Sequence, residues 1–238
     1  EMLARSIPNS IVSRHGSDLL QIEALLFGQA GMLQSEKHDD YEWRLKQEYN
    51  LLRKKYGLTP LTENIWNYGK VRPTNSPIIR LAQLAIVLSK AQHLASSLLH
   101  LEQPALMKLL TSEAHPYWKI HKQFGVPRKK EMCTSMGKAS TERIMINVVA
   151  RLRFAHGKYN SNLSMMNDAM TLLHGLPPEQ NSVTDHWNKL GVQIEHAADS
   201  QALLQLYSVY CTQEKCIECP IGIKLLQSKT HETHSQSA

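Results

Sequence analysis

Apolar residues recur along most of this chain at intervals of three and four positions, the spacing of one helical face. The pattern predicts about eight to ten helices. No strands are predicted, because apolar and polar residues never alternate over four or more positions between hairpin turns. The chain is therefore predicted to be all-α. The predicted buried stripes are Leu19, Ile22, Leu26 and Ala30; Leu45, Tyr49, Leu52 and Tyr56; Ile78, Leu81, Leu84, Ala85 and Leu88; Ile144, Val148 and Leu152; Leu163, Met166, Met170 and Leu173; and Leu203, Leu206 and Tyr210.

Capping residues mark where these helices begin and end. A short side-chain oxygen can accept from the free amides of a first turn, and glycine favours the position after a last turn. Asp39 and Asp40 are therefore predicted to open a long helix that ends at Tyr56, before Gly57. The other predicted starts are Ser17 or Asp18, Ser76 with Pro77, Gln103 with Pro104, Ser140 or Thr141, Asn162, Thr184, and Asp199 or Ser200.

Two glycines inside the first helical pattern, Gly28 and Gly31, have a different meaning. Glycine in a helix costs roughly 1 kcal/mol relative to alanine. Its presence there indicates either a bend or the close approach of another helix, and we expect a tight packing contact.

No stretch has the composition of a flexible linker, because irregular segments such as 58–76 still carry aromatic residues that favour burial. One helical domain over residues 1–226 is predicted, followed by a polar, disordered tail over 227–238. The opening residues E-M-L-A-R-S-I-P resemble the last turns of a helix already under way. We therefore expect the chain to be a C-terminal fragment of a longer protein.

Composition narrows the class of protein further. The chain has 238 residues, of which 42% are apolar, and no apolar run approaches the roughly 18 to 20 residues that span a bilayer. No secretory signal precedes the first helix. A cytoplasmic protein without a membrane partner is therefore expected, with its four cysteines in the reduced state.

The charge is moderately basic, since 27 lysines and arginines oppose 21 acidic residues. The stretch from Tyr117 to Lys130 interleaves aromatic and basic residues. In such a pattern rings can stack on bases while cations neutralise phosphates. Alternatively, the rings belong to the core and the lysines extend into solvent. The predicted nucleic-acid surface consists of Trp118, Lys119, Lys122, Arg128, Lys129 and Lys130.

A second predicted binding feature is an anion site at the helix that begins with Pro77. Arg72 and Arg80 bracket this helix start, where partly positive backbone amides favour a phosphate or carboxylate. In the alternative interpretation one arginine pairs with an internal acid and holds the loop.

Three of the four cysteines, Cys211, Cys216 and Cys219, lie within nine positions near the C-terminus. We call the segment that holds these three cysteines the cysteine knuckle. Two thiolates at a two-residue gap can bind one ion, so the knuckle is a candidate structural site for zinc or an iron–sulfur cluster. Four ligands are normal, and Cys133, His186 or His196 could supply the fourth. Plain packed thiols are the alternative. No sequence motif for a catalytic site is present.

Several strings together resemble a known family. They are Q-I-E-A-L-L-F-G-Q-A-G-M-L at 21–33, the R-P-x-x-x-P-x-x-R-L-A-Q-L-A run at 72–85, I-M-I-N-V-V at 144–149, and D-S-Q-A-L-L-Q-L with the cysteines that follow. In this order they resemble the C-terminal helical region of a bacterial family, domain of unknown function family 2851. The resemblance implies that fuller members carry a β-rich, nuclease-like N-terminal part holding any catalytic carboxylates, and that the family pattern includes Cys211, Cys216 and Cys219 but not Cys133.

Three functions remain compatible with these features. The first is a helical accessory domain that binds nucleic acid. The second is an enzyme acting on a small anionic ligand held by Arg72 and Arg80. The third is a scaffold that binds another protein.

Overall fold

A computed structural model describes residues 1–34, 39–62, 65–66, 75–91 and 93–226. The protein is mostly helical, at 67% helix, which confirms the predicted class. Within the described residues it has thirteen α-helices rather than eight to ten, together with one small two-stranded sheet. None of the helices in these ranges is both long enough and apolar enough to cross a membrane.

The chain divides into two compact units, Glu1–Thr141 and Glu142–Ala238. The prediction of one domain over 1–226 stays a prediction, because compactness alone does not show whether either unit folds independently. The predicted anion site includes Arg72, which lies outside the described residues, as does the predicted tail at 227–238.

The first unit contains eight helices and the sheet. Its central helix, α3, is buried on nearly every side from Ile22 to Gln29, because α4 and α5 both pack against it. The bounds are α1 Met2–Ser6, α2 Asn9–His15, α3 Leu19–Gln29, α4 Asp40–Tyr56, α5 Pro77–Ala91, α6 Leu94–His100, α7 Gln103–Leu110, α8 Tyr117–Ile120, β1 His121–Gln123 and β2 Val126–Pro127.

Local capping signals account for the ends of α3 and α4. The Asp18 carboxylate accepts hydrogen bonds from the first-turn amides of Leu20 and Gln21, and the Asp39 carboxylate accepts from the amide of Glu42. Gly57 ends α4 in the left-handed conformation, with φ of 62°. These contacts confirm the starts predicted at Asp18 and Asp39 and the predicted end of α4.

The second unit is built mainly on α10, α11 and α13. Helix α10 packs closely on α11, and α11 also contacts a π-helical segment and α13. The bounds are α9 Lys138–Ile144, which crosses the boundary between the units, the π-helical segment Met145–Ala150, α10 Arg151–Tyr159, α11 Leu163–His174, α12 Ser182–Lys189, α13 Ala197–Val209 and a 3-10 helix Cys211–Gln213.

Several predicted stripe positions are wrong. Leu84, Val148, Leu163 and Met170 are exposed, and the buried residues of α11 are Ala169 and Leu172. The last long helix begins at Ala197 rather than at Asp199. The Asp199 carboxylate instead accepts from the backbone amide of His196 at 3.0 Å, the reciprocal contact of a capping box.

Candidate functional site

The basic stretch predicted from the sequence forms a β-hairpin and the residues on either side of it. We call residues 119–130 the basic hairpin. Strands β1 and β2 pair antiparallel, with His121 opposite Pro127 and Gln123 opposite Val126. Gly125, with φ of 64°, makes the turn between them in a conformation that side chains disfavour.

Asp39 anchors the tip of the basic hairpin to the start of α4. Its carboxylate accepts hydrogen bonds from the Gly125 amide at 3.1 Å and from the hydroxyl of Tyr117. Burial acts to raise the pKa of Asp39, but these bonds and one from the Glu42 amide outweigh it and hold that pKa below its ordinary value. The same residue therefore caps α4 and fixes the hairpin.

The cations of the basic hairpin differ in their partners. Lys119 pairs with Glu113 at 2.6 Å, and Arg128 donates from Nε to the carbonyl of His121 at 3.0 Å. Lys122, Lys129 and Lys130 are exposed and form no ion pair within the part of the chain that the structure describes. These three lysines, with the charge of Arg128, make a positive surface.

The tryptophan of this stretch is not on that surface. Trp118 is 0% exposed and packs against Phe27 and Phe124 at ring distances of 5.2 and 5.0 Å. Its inclusion in the predicted nucleic-acid surface is therefore wrong, since a ring inside the core cannot stack on a base. Trp118 instead fixes the position from which the basic hairpin starts.

A buried carboxyl group, Glu23 on α3, lies beside Trp118. It is 1% exposed and accepts hydrogen bonds from Trp118 Nε1 at 3.2 Å and from the hydroxyl of Tyr41. Burial raises the pKa of Glu23 to about 7, although both hydrogen bonds act in the opposite direction. In turn, burial and the nearby Glu23 raise the pKa of Tyr41.

Aromatic rings connect Glu23 to the basic hairpin. The Tyr41 ring stacks between His115, at 4.7 Å, and Tyr117, at 4.3 Å, and Tyr117 stacks on His121 at 3.9 Å. The pKa of His115 is lowered by burial and then by the positive charge of Arg44, so its ring favours the neutral form. The stack joins the buried acid to the hairpin through continuous side-chain contacts.

Arg80, one half of the predicted anion site, uses its donors within the protein. Its guanidinium donates to Asn75 Oδ1 at 2.5 Å, Gln83 Oε1 at 3.0 Å and Ser140 Oγ at 3.2 Å. These contacts resemble the alternative interpretation, in which an arginine holds the loop. The pairing with Arg72 stays a prediction.

The cysteine knuckle follows α13. Cys211 and Cys216 are exposed thiols, whereas Cys219 is buried. Residues 220–226 are helical, and their backbone approaches so closely that a Cβ at Gly222 would lie 2.1 Å from the Cys216 carbonyl oxygen. Backbone contacts thus hold the turn between Cys216 and the final helical residues.

Metal ligands are not gathered at the knuckle. Among residues 1–226, apart from the undescribed gaps, no three His, Cys, Asp or Glu side chains form a group that could hold a metal ion. Of the possible fourth ligands, His196 is hydrogen-bonded to Asp199 at 2.8 Å and Cys133 lies 3.0 Å from Ser135 Oγ. A zinc or iron–sulfur site at Cys211, Cys216 and Cys219 stays a prediction.

Comparison with known proteins gives one match. A family model described as a protein of unknown function, DUF2851, matches residues 1–182 of the 238-residue chain. The chain belongs to this family. No curated protein and no solved structure matches it.

The part of the chain matched to DUF2851 includes Glu23, its aromatic partners and the whole basic hairpin. The three cysteines of the knuckle lie beyond it, so membership of the family adds nothing to the metal prediction. Sequence reasoning missed Glu23 as a site residue. The available signal was an acidic residue between Ile22 and Ala24, inside a pattern that is otherwise apolar.

Proposed function

We propose that this helical DUF2851 domain binds nucleic acid by neutralising phosphates with the exposed cations of the basic hairpin. The observation that supports the proposal is the set of three exposed lysines, Lys122, Lys129 and Lys130, without ion-pair partners in the described ranges. Unpaired cations on an anchored hairpin provide a fixed positive surface for a polyanion. The net charge of +6 acts in the same direction.

The burial of Trp118 determines the mode of binding in this proposal. No ring of the predicted surface is available to stack on a base, so the contacts are to the phosphate backbone. Such contacts carry little sequence information and release counterions. Binding should therefore depend strongly on salt and weakly on base sequence.

Replacing Lys122, Lys129 and Lys130 together with glutamine tests the proposal. We expect the wild-type protein to bind fluorescent oligonucleotides of about 20 residues and to lose roughly 50-fold in affinity between 50 and 200 mM salt, as about three phosphate contacts predict. The triple variant should reduce the slope of log affinity against log salt by about three, because each phosphate-binding lysine contributes about one. Fluorescence anisotropy at four salt concentrations measures both quantities.

A matched triple variant separates this surface from overall charge. Lys158, Lys189 and Lys215 are also exposed, and their replacement by glutamine lowers the net charge by the same amount. We expect this control to keep most of the affinity and the slope. Equal losses in both variants, or wild-type binding that is absent or insensitive to salt, would contradict the proposed surface.

We also propose that the cysteine knuckle binds zinc or an iron–sulfur cluster as a structural site. The support for this proposal is the two-residue gap between Cys216 and Cys219, with Cys211 nearby in sequence. We expect protein purified without chelator to contain close to one metal site per chain, and the Cys216→Ser variant to lose it. Elemental analysis of both proteins measures this. Metal-free wild-type protein would contradict the proposal and leave two exposed thiols and one buried thiol.

A further inference from the structure

A cavity of about 230 Å³ lies at the first turns of α3 and α4. Leu19 and Leu20 supply apolar walls, and Glu23, Tyr41 and His115 also line it. This cavity is separate from the exposed lysines of the basic hairpin, and the proposed binding of nucleic acid does not use it.

The size of the cavity limits the ligand. An apolar cavity of roughly 150 Å³ can hold benzene, which has six non-hydrogen atoms. By proportion, this cavity suits a molecule of about nine non-hydrogen atoms. That is the size of an amino acid with a short apolar side chain.

The charged groups that line the cavity indicate which charged groups a ligand should carry. Two carboxyl groups, Asp18 and Glu23, and one guanidinium, Arg44, line it. Asp18 is exposed and caps the first-turn amides of α3 through Oδ1, whereas Glu23 is buried, so we assign the positive end of the ligand to Glu23. Each of its oxygens accepts one hydrogen bond from the protein and has capacity for another.

Arg44 and Glu23 act on different parts of the cavity. Arg44 is exposed and Glu23 is buried. The positive group therefore lies at the opening of the cavity, and the acid lies at its inner wall.

We propose that this cavity binds a small zwitterion, an α-amino acid with a short apolar side chain, with its ammonium group toward Glu23 and its carboxylate toward Arg44. The ammonium donates to the second lone pairs of the Glu23 carboxylate, and the carboxylate of the ligand accepts from the guanidinium. The side chain packs against Leu19 and Leu20. Stacked Tyr41 and His115 close one side of the site.

Ligand binding should depend on pH because the ammonium requires an ionised Glu23. Burial holds the pKa of Glu23 near 7, so at neutral pH only about half of the free protein carries the carboxylate. Affinity should rise about tenfold per pH unit below pH 7 and level off above pH 8. The polar and titratable groups around Glu23 are Tyr41 and Arg44 from α4, Trp118 from α8, His115 from the preceding loop, and Asp18 at the start of α3. Helix α5, which also packs on α3, carries two cations with partners of their own: Arg80 bonds to Asn75, Gln83 and Ser140, and Lys90 bonds to Ser112.

Three probes of the same shape test the assignment. L-leucine has both charged groups, isoamylamine lacks the carboxylate, and 4-methylpentanoate lacks the ammonium. We expect L-leucine to bind at least about tenfold more tightly than either single-charge probe, since each lost charge-assisted bond costs about that factor or more. Calorimetry and ligand-observed NMR between pH 6 and 9 measure affinity, and calorimetry in two buffers detects the proton released below pH 7.

Variants identify which group holds which end. Glu23→Gln should weaken L-leucine and isoamylamine and remove the pH dependence. Arg44→Gln should weaken L-leucine and 4-methylpentanoate but leave isoamylamine unchanged. Arg53→Gln, an exposed arginine on the same helix and outside this cavity, is the matched control and should change none of them. Because Arg44 is exposed, its variant should fold even if Glu23→Gln does not.

Two results would overturn the proposal. If 4-methylpentanoate binds more tightly than L-leucine, with an affinity that rises as the pH falls, the site holds an anion beside a protonated Glu23. If none of the three probes binds at millimolar concentration to the full chain, the cavity is not an amino-acid site. Neither result affects the test of the basic hairpin, which depends on different residues.

Discussion

Glu23→Gln is expected to raise the free energy of unfolding by about 3 kcal/mol at pH 8 and to leave it nearly unchanged below pH 4. The folded protein holds the pKa of Glu23 at about 7, above its ordinary value of 4.5, mainly because the group is buried. A raised pKa means that the folded state keeps its proton more firmly than the unfolded state does. The corresponding stability is complete below pH 4.5 and is lost as the pH rises through 7.

Urea denaturation at pH values from 4 to 8 measures this effect. The wild-type free energy of unfolding should contain a decline of about 3 kcal/mol across the window, and the glutamine variant should lack that component. Glutamine keeps the size of the side chain and can still accept from Trp118 and bond to Tyr41. Its amide has no charged form to bury.

Glu131→Gln is a suitable control, because Glu131 is exposed in the same unit. Its replacement should change the free energy of unfolding by less than about 0.5 kcal/mol at every pH. A Glu23→Gln variant that is less stable than wild type at pH 8 would mean that Glu23 stabilises the fold as a carboxylate. The burial argument would then fail.

The features that the sequence predicted well depend on neighbouring residues. Asp18, Asp39 and Gly57 mark helix ends through contacts with backbone groups only a few positions away. Such contacts can be predicted from local sequence, since no distant part of the chain has to be placed first.

The stripe predicted around Val148 is displaced from the buried face of this stretch, which includes a π-helical segment. In the π-helical segment Met145–Ala150 each turn contains more residues than in an α-helix, which changes where side chains point from one turn to the next. The buried residues are Thr141, Met145, Ile146, Val149, Ala150, Arg153 and Gly157, whereas the predicted Ile144 and Leu152 are half-buried and Val148 is exposed. Spacing alone did not fix the register of this stripe, because apolar residues at 144–146 and 148–150 form more than one possible face. Asn147, in the same segment, donates from Nδ2 to Glu179 Oε1 at 2.9 Å.

The candidate sites were harder to predict because their contacts are distant in sequence. Glu23 is bonded to Tyr41, which lies 18 positions away, and to Trp118, which lies 95 positions away. The two strands of the basic hairpin contain only three and two residues, too short for an alternating pattern. Sequence therefore located the basic residues of the surface but not the buried acid behind them.

The contact between α3 and α4 at Gly28 confirms the close approach expected from a glycine inside a helix. A Cβ at Gly28 would lie 2.1 to 2.5 Å from three ring atoms of Tyr49, far inside any real contact distance. The ring cannot easily move, because the Tyr49 hydroxyl donates to Gln29 Oε1 at 2.9 Å and Tyr49 is itself buried.

Gly28→Ala should therefore lower the free energy of unfolding by about 3 kcal/mol, since the overlap outweighs the gain of about 1 kcal/mol in helix propensity. Urea denaturation at a fixed pH measures the loss. Gly137→Ala, where a Cβ would meet no atom within 4 Å, should change stability by less than about 0.5 kcal/mol. Adding Tyr49→Leu to Gly28→Ala should cost less than the two single losses combined, because the smaller side chain removes the overlap. A fully stable Gly28→Ala protein would show instead that α3 and α4 can separate at this crossing without loss of packing.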